Sequence, residues 1–414
     1  MTDSAAGSPP RGVALTARDA RFREDPDAVY DTLRSHAPWF RDEAYGRTLL
    51  TCHDDVHAAL RHRQLGVDAR KSAPDSYMRR VAGTGVSGGA GEAAYEPPLV
   101  LLDDPAHRRI RLLTGKAFTP RAIEAQRPRI AALAAELIAG FADEPEIDFI
   151  ARYAGPLPTR VIAAMMGVPA ADWADLKRWS EQILQGYDPE RDADTQRRLR
   201  EAYVAMSALF RDTVAARRRA PREDLVSALV RAQEDTDRLS DLEIISLCIQ
   251  LLVAGNVTTT DLMGNGLQAL LAHPEALARL RAEPARIGAA IEEMLRFDCP
   301  LTETARIALE DTELAGRPVR AGATLTLSLA AANHDPARFP DPHAFDITRD
   351  SGAHVAYGGG VHVCLGAPLA RLEAEVCLQA FVTRFPALAR GTAPAVRRRL
   401  PFFRGFEVLP VRLA

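Results

Sequence analysis

The chain reads as a mainly α fold with a minor β portion, closed into a single domain, on three observations. A capped helical pattern runs unusually far, through residues 240–271. Strand-like stretches are few and short, and most of them lie late in the sequence. No Pro/Gly/Ser-rich linker and no internal repeat divides the 414 residues. Hydrophobic residues make up 47% of the chain, enough for one large core, and the 26% charged residues suit a globular exterior. The domain is expected to span 15–414. Residues 1–14, small and polar with Pro9 and Pro10, are predicted to be a disordered tail.

Taken in order, residues 27–39 predict a short amphipathic helix, and 47–52, with Leu49, Leu50 and Thr51, a strand. Several helices follow between 106 and 219, some with apolar residues at three and four spacing. Ser240-Asp241-Leu242-Glu243 is a capping box that opens the longest helix. The pattern lasts until His273-Pro274, which gives about 45 Å at 1.5 Å per residue. Its middle, from Ala254 to Thr260, is poor helix material: Gly255 is followed, after Asn256, by β-branched Val257, Thr258, Thr259 and Thr260. Threonine hydroxyls that bond back to carbonyls bend helices, so a local opening able to hold water or dioxygen is expected there. Residues 285–297 predict another helix, with Glu293 and Arg296 at i, i+3 among Ile287, Ile291, Met294 and Leu295. Short strands are expected over 306–329, turning at Gly316 and Gly322, and a strand pair over 402–411.

Bulk properties exclude several function classes. A net charge of −3 argues against a nucleic-acid binder. Cys52, Cys248, Cys299, Cys364 and Cys377 are scattered, odd in number and lack metal-finger spacing, which fits a reducing compartment without disulfides. The most apolar run, 244–255, is shorter than the ~20 residues of a membrane span and carries Ser246 and Gln250. No targeting segment is read, so a cytoplasmic location is expected. Residues 81–94 hold five glycines. They read either as a surface loop or as a lid that orders over substrate, and the two readings are compatible.

The chemistry-bearing segment is 354–371, HVAYGGGVHVCLGAPLAR. Gly358, Gly359 and Gly360 let the backbone pass close to a flat ligand. Cys364 follows, near the start of a helical run, where a thiol pKa is expected to be lowered. Tyr357, Gly358, Gly360, His362, Cys364 and Gly366 together resemble the haem-ligand loop of the cytochrome P-450 family, with Tyr357 where the family usually has Phe. The resemblance extends from near Asp27 to Val411. It implies the family's fold, haem b as cofactor and Cys364 as the axial iron ligand. It further implies that Glu293 and Arg296 are the buried structural Glu-x-x-Arg pair. An Arg often joins that pair from a Pro-Asp-Arg-Phe stretch. Pro342-His343-Ala344-Phe345 lacks it, leaving His343 or Arg349 as substitutes. His107 and Arg111, within Asp103-Asp104-Pro105-Ala106-His107-Arg108-Arg109-Ile110-Arg111, match propionate binders, as do Arg306 and His362.

The long helix resembles the family's oxygen-activating helix with one departure. Thr258 matches the threonine that supports dioxygen, but Val257 stands where the family has an acid. Asn256 could organise water instead. Asp261, one turn on, is either the replacement acid or a surface or ion-paired carboxylate. Positions that the resemblance turns toward substrate are Val253, Ala254, Thr302 and Phe402, a largely apolar set with one hydroxyl. The implied activity is a monooxygenase acting on a small organic molecule. Electrons would come from a ferredoxin and its reductase, landing on Arg108, Arg109, Lys116 and Arg371 unless these are only a solvated face. Val257 keeps two alternatives open: altered haem chemistry, with nitric oxide or peroxide, and a non-enzymatic haem or ligand-binding protein.

Overall fold

The computed structural model describes residues 10–84, 96–232 and 239–414. The long helix forms its axis. Ser240 Oγ accepts the Glu243 N–H (3.1 Å) and Glu243 Oε2 accepts the Ser240 N–H (2.7 Å), so the capping box closes as predicted. The helix runs over Asp241–Ala272 and is buried along most of its length. Around it pack Pro156–Met165, Trp173–Leu184, Ala193–Arg219, Ile287–Phe297 and Ala367–Arg384. By length and hydropathy it would qualify as a membrane span, but 67% of its most apolar stretch is buried inside the protein. The apolar run thus continues further than residues 244–255 suggest, because it is the core of a helical layer.

The helix also runs unbroken through its poor middle. Thr258 Oγ1 bonds the Ala254 carbonyl (2.7 Å), and Thr260 Oγ1 bonds those of Asn256 (3.0 Å) and Ala154 (3.1 Å). The expected opening is absent: neighbouring helices hold the backbone where propensity alone would release it.

The main sheet has five strands in the order Trp39–Asp42, Arg47–Leu50, Thr324–Ser328, Glu303–Ala308, Leu65–Gly66. Arg47–Leu50 runs parallel to Thr324–Ser328, with Leu49 opposite Thr326. Glu303–Ala308 runs antiparallel to Thr324–Ser328, with Glu303 opposite Ser328 and Ala305 opposite Thr326.

Three local expectations need correction. The helix predicted over 27–39 ends at His36, and Trp39 already begins a strand. Pro38 biases Ala37 away from helical backbone. The strand pair predicted over 402–411 does not form. Phe406–Val408 pairs with Val396–Arg397, whereas Pro410–Arg412 pairs with Glu146–Asp148 and Ala389–Arg390. Only Leu409 separates the two strands, too little for a hairpin loop, and its carbonyl is held by the Phe149 N–H (2.9 Å). Gly12–Leu15 forms a 3-10 turn, and the Gly12 N–H donates to Asp42 Oδ1 (3.0 Å), so described order begins before residue 15. Residues 1–9 lie outside the described residues, as does most of 81–94.

Candidate active site

Cys364 stands between a 3-10 turn, Gly360–His362, and the helix Ala367–Arg384. Its N–H donates to the Tyr357 carbonyl (2.9 Å), which closes the loop on itself. Gly360 has φ +66°, and a Cβ there would lie 2.4 Å from the Leu60 carbonyl oxygen, so this position admits no side chain. The Cys364 residue is exposed. Its sulfur is nevertheless crowded enough that burial raises the thiol pKa. The Gly366 N–H, Arg111, the Ala367 N–H and Arg371 pull the other way without prevailing. The expectation of a lowered pKa therefore fails in direction: the helix-terminal donors are present, but desolvation outweighs them.

Beside the loop lies a cluster of basic groups. The His107 and His362 rings sit 4.2 Å apart, centroid to centroid, although the two residues are far apart in sequence. Burial, then Arg306 and His107, push the His362 pKa down to about 4. Burial lowers Arg306 to about 10, and Asp103 only partly offsets it. Burial also lowers His107, against the pull of exposed Asp104, whose Oδ1 is 3.6 Å from Nδ1. Arg306 Nη1 donates to its own neighbour, the Ala305 carbonyl (2.9 Å). Arg111 is lowered by burial and raised by Cys364, which places it within electrostatic reach of the sulfur. Arg306 and His107 disfavour charge on His362, Arg111 does so on His107, and burial disfavours charge on all four, so a bound anion would relieve them. A flat ligand carrying carboxylates and a thiolate-binding centre fits this arrangement, and haem is such a ligand.

A cavity of about 320 Å³ adjoins the long helix. Ser246, Gln250, Ala254 and Thr258, spaced by four, and Val253 line it from that helix. Phe402 lines it from the C-terminal segment, with φ +69°. Positive φ is rare outside glycine, and the Thr302 N–H (2.8 Å) and Oγ1 (3.1 Å) hold the Phe402 carbonyl in place. Thr302 itself is not among the lining residues. Its hydroxyl is spent on that carbonyl, and its neighbours Leu301, Glu303, Thr304 and Ala305 face the cavity instead. Sequence reading missed Glu303, Tyr77, Tyr187, Tyr203, Ser246 and Gln250. The four-residue spacing from Thr258 back to Ser246 was the signal that could have found the last two.

Val257 is buried and is not among the residues that line this cavity, and the buried Nδ2 of Asn256 has no partner. Asp261 is fully buried, so it is not a surface carboxylate. Its Oδ1 accepts from Arg398 Nη2 (3.0 Å), and Oδ2 has no partner. Gly405 packs so closely on it that a Cβ there would lie 2.0 Å from Oδ1. Burial raises its pKa to about 6, with Arg398 opposing. Asp261 therefore contributes least to stability when ionised: its contribution is complete below 3.8 and is lost as pH rises through about 6.

Glu293 and Arg296 are both fully buried and doubly bonded, Nε to Oε2 and Nη2 to Oε1, each 2.8 Å. Arg296 also donates to the Asn333, Pro342 and Ala344 carbonyls. Glu293 also accepts from the Asp346 N–H and Ser351 Oγ. Arg349 comes within 3.5 Å of Glu293, whereas His343 turns to Asp27 and Asp31. Of the four proposed landing cations, Arg109 pairs with Glu243, and Arg371 pairs with Glu292 (2.6 Å) while lying over the Tyr357 ring. Arg108 and Lys116 are exposed.

Comparison with known proteins supports one family. The cytochrome P-450 family model matches residues 160–399. The chain is 38% identical to 6-deoxyerythronolide B hydroxylase of Saccharopolyspora erythraea, over 95% of this chain and 97% of that one. It is 36% identical to the monooxygenase PikC of Streptomyces venezuelae, over 96% and 93%. Among solved structures, P450BioI in complex with an acyl carrier protein ligated to hexadec-9Z-enoic acid superposes with TM-score 0.85 at 34% identity, covering 95% of this chain and all of that one. Myxobacterial CYP267B1 in complex with myristic acid gives TM-score 0.87 at 35% identity, covering 95% and 98%. With its cysteine loop, its basic cluster and its fold, the chain belongs to the cytochrome P-450 family and is a haem-dependent monooxygenase.

Proposed function

We propose that the protein binds haem b through Cys364 and oxidises a small, largely apolar organic substrate. Electrons would come from a ferredoxin and its reductase in the cytoplasm. The observation that carries this reading is the accessible Cys364 beside a buried basic cluster that Asp103 and Asp104 offset only in part. Haem supplies the iron at which dioxygen is activated. Cys364 would hold the iron as a thiolate, whose charge the Gly366 N–H and Arg111 would stabilise. His107, Arg111, Arg306 and His362 hold the propionates. Thr258 presents its hydroxyl side to the cavity while bonded to Ala254, and the apolar cavity excludes water and positions substrate. The reading is tested by reducing the haem-loaded protein under carbon monoxide, where the red-shifted band of thiolate-ligated haem is expected. Its absence, or turnover indifferent to added ferredoxin and reductase, would overturn it.

Removing the propionate partners should loosen the cofactor. Arg306→Ala is expected to speed haem loss to an apomyoglobin acceptor about tenfold or more, since a charged hydrogen bond contributes roughly 1.5–3 kcal/mol. Arg111→Ala should act in the same direction. Wild-type rates in both variants and in their double would reject the assignment.

A second reading rests on Val257. A valine cannot relay a proton, and Asp261 is turned to Arg398 and Gly405, not onto the cavity wall. If protons travel along this turn, Val257→Asp should change both the fraction of reductant converted to product and the solvent isotope effect. Asp261→Asn should then lower that fraction severalfold. Unaltered coupling in both variants means that protons arrive elsewhere. Efficient turnover with peroxide or nitric oxide, without ferredoxin, would favour altered haem chemistry.

A further inference from the structure

One wall of the cavity is a sheet face, and its polar groups do not match the apolar remainder. Ala305 and Thr326 are cross-strand partners, and Glu303 lies two residues from Ala305, so the three share that face. All three line the cavity. Glu303 is the only Asp, Glu, Lys, Arg or His among the described lining residues. Its Oε1 accepts from Arg47 Nη1 (2.8 Å), but Arg47 also serves Asp42 through Nε (3.1 Å). Two carboxylates thus share one guanidinium; burial raises the Glu303 carboxyl pKa, Arg47 opposes that and Asp42 adds to it. When all three groups are ionised, one negative charge is uncompensated. Arg47 cannot move to meet a ligand: it is fully buried, with its guanidinium carbon 4.9 Å from the Tyr77 ring centroid and 5.3 Å from that of Tyr45.

Two further groups on this wall lack partners, as does Arg47 Nη2. The Tyr77 hydroxyl and Thr326 Oγ1 are buried without a hydrogen bond, on residues only 1% and 2% exposed. Buried hydroxyls are normally satisfied, so both point to a ligand group. An aromatic surround completes the site. Phe402 meets Tyr77 edge-on at 5.3 Å and Tyr187 at 6.4 Å. Tyr45 and Arg47 already cover the Tyr77 ring, so what the wall offers an alkylated ammonium ion is an anion among aromatic rings and hydroxyl oxygens.

We propose that this wall binds an ammonium head group of the substrate, with Glu303 as its counter-charge and specificity determinant. The inference rests on the reading of the cavity as the substrate site. A carboxylate head would face Glu303 with like charge. An alcohol would satisfy the hydroxyls and leave the charge unmet. Seating the nitrogen at Glu303 leaves the hydrocarbon remainder for Ala254 and Thr258, so oxidation falls on carbons away from the nitrogen.

The test is calorimetric binding of three ten-carbon probes to the haem-loaded protein: decyltrimethylammonium, 1-decanol and decanoate. The first has no lone pair and cannot ligate iron. It should bind about tenfold tighter than decanol, with decanoate weakest. Glu303→Gln should erase that margin and leave decanol within about twofold, whereas Tyr77→Phe should preserve the order. If Glu303→Gln does not fold, the wild-type margin read against pH takes its place, and it should shrink as acid protonates Glu303. Decanol or decanoate binding as tightly as the ammonium probe, or a margin that survives both Glu303→Gln and acid, overturns the proposal. If all three probes bind alike, the ammonium inference falls and the cavity remains the substrate site. If none binds while the carbon monoxide band is intact, both fall.

Discussion

Cys364→His is expected to eliminate the red-shifted carbon monoxide band and to reduce substrate turnover to background. The loop places no other sulfur in this setting. Among the remaining cysteines, Cys248, Cys299 and Cys377 are buried, whereas Cys364 is exposed. Cys52 is only half-buried and stands before the helix His53–Arg61 without a capping hydrogen bond. An imidazole at 364 offers a neutral nitrogen where the thiolate would push electron density toward the iron, and that push is what favours O–O cleavage. Arg111 and the Gly366 N–H, which support negative charge on sulfur, would face a group that has none. Haem content and the carbon monoxide difference spectrum, taken together, check the prediction. A histidine variant that keeps the red-shifted band would remove Cys364 from the iron.

The cysteine loop was legible because its signal is local. Glycines, histidine and cysteine fall within ten residues, although the contact that requires Gly360, with Leu60, comes from a distant segment. The long helix was legible for the same reason, since its cap is a four-residue pattern. What escaped depends on tertiary placement. Burial reversed the expected direction of the Cys364 pKa, and no local pattern reports desolvation. Thr302 was assigned to substrate on family position, yet its hydroxyl turns back to Phe402, and its neighbour Glu303 shares the cavity-facing side of the strand with Ala305. Asp261 could have been a relay, a surface group or an ion pair. Only the arrival of Arg398 and Gly405 from the C-terminal segment shows it buried and ion-paired. The meeting of His107 with His362 was readable only through family order, since nothing in either segment announces the other.

Arg296→Ala is expected to destabilise the protein by roughly 3–5 kcal/mol, the usual penalty for leaving one partner of a buried ion pair unmatched. Glu293 would stay fully buried and retain only the Asp346 N–H, Ser351 Oγ and a distant Arg349. The Asn333, Pro342 and Ala344 carbonyls would lose their donor at the same time. These carbonyls belong to the segment that leads from the sheet toward the cysteine loop. The Val355 N–H, nine residues before Cys364, is held by Asn333 Oδ1 (2.8 Å), so the damage should reach the haem site as well as global stability. Arg296→Lys should rescue little, because an ammonium cannot reproduce the paired Nε and Nη2 bonds while also donating to three carbonyls. Urea midpoints at constant m-value give the stability loss, and haem content after gel filtration gives the local one. If Arg296→Ala stays within about 1 kcal/mol of wild type, the range of a surface ion pair, then this pair does not lock the segment that presents Cys364.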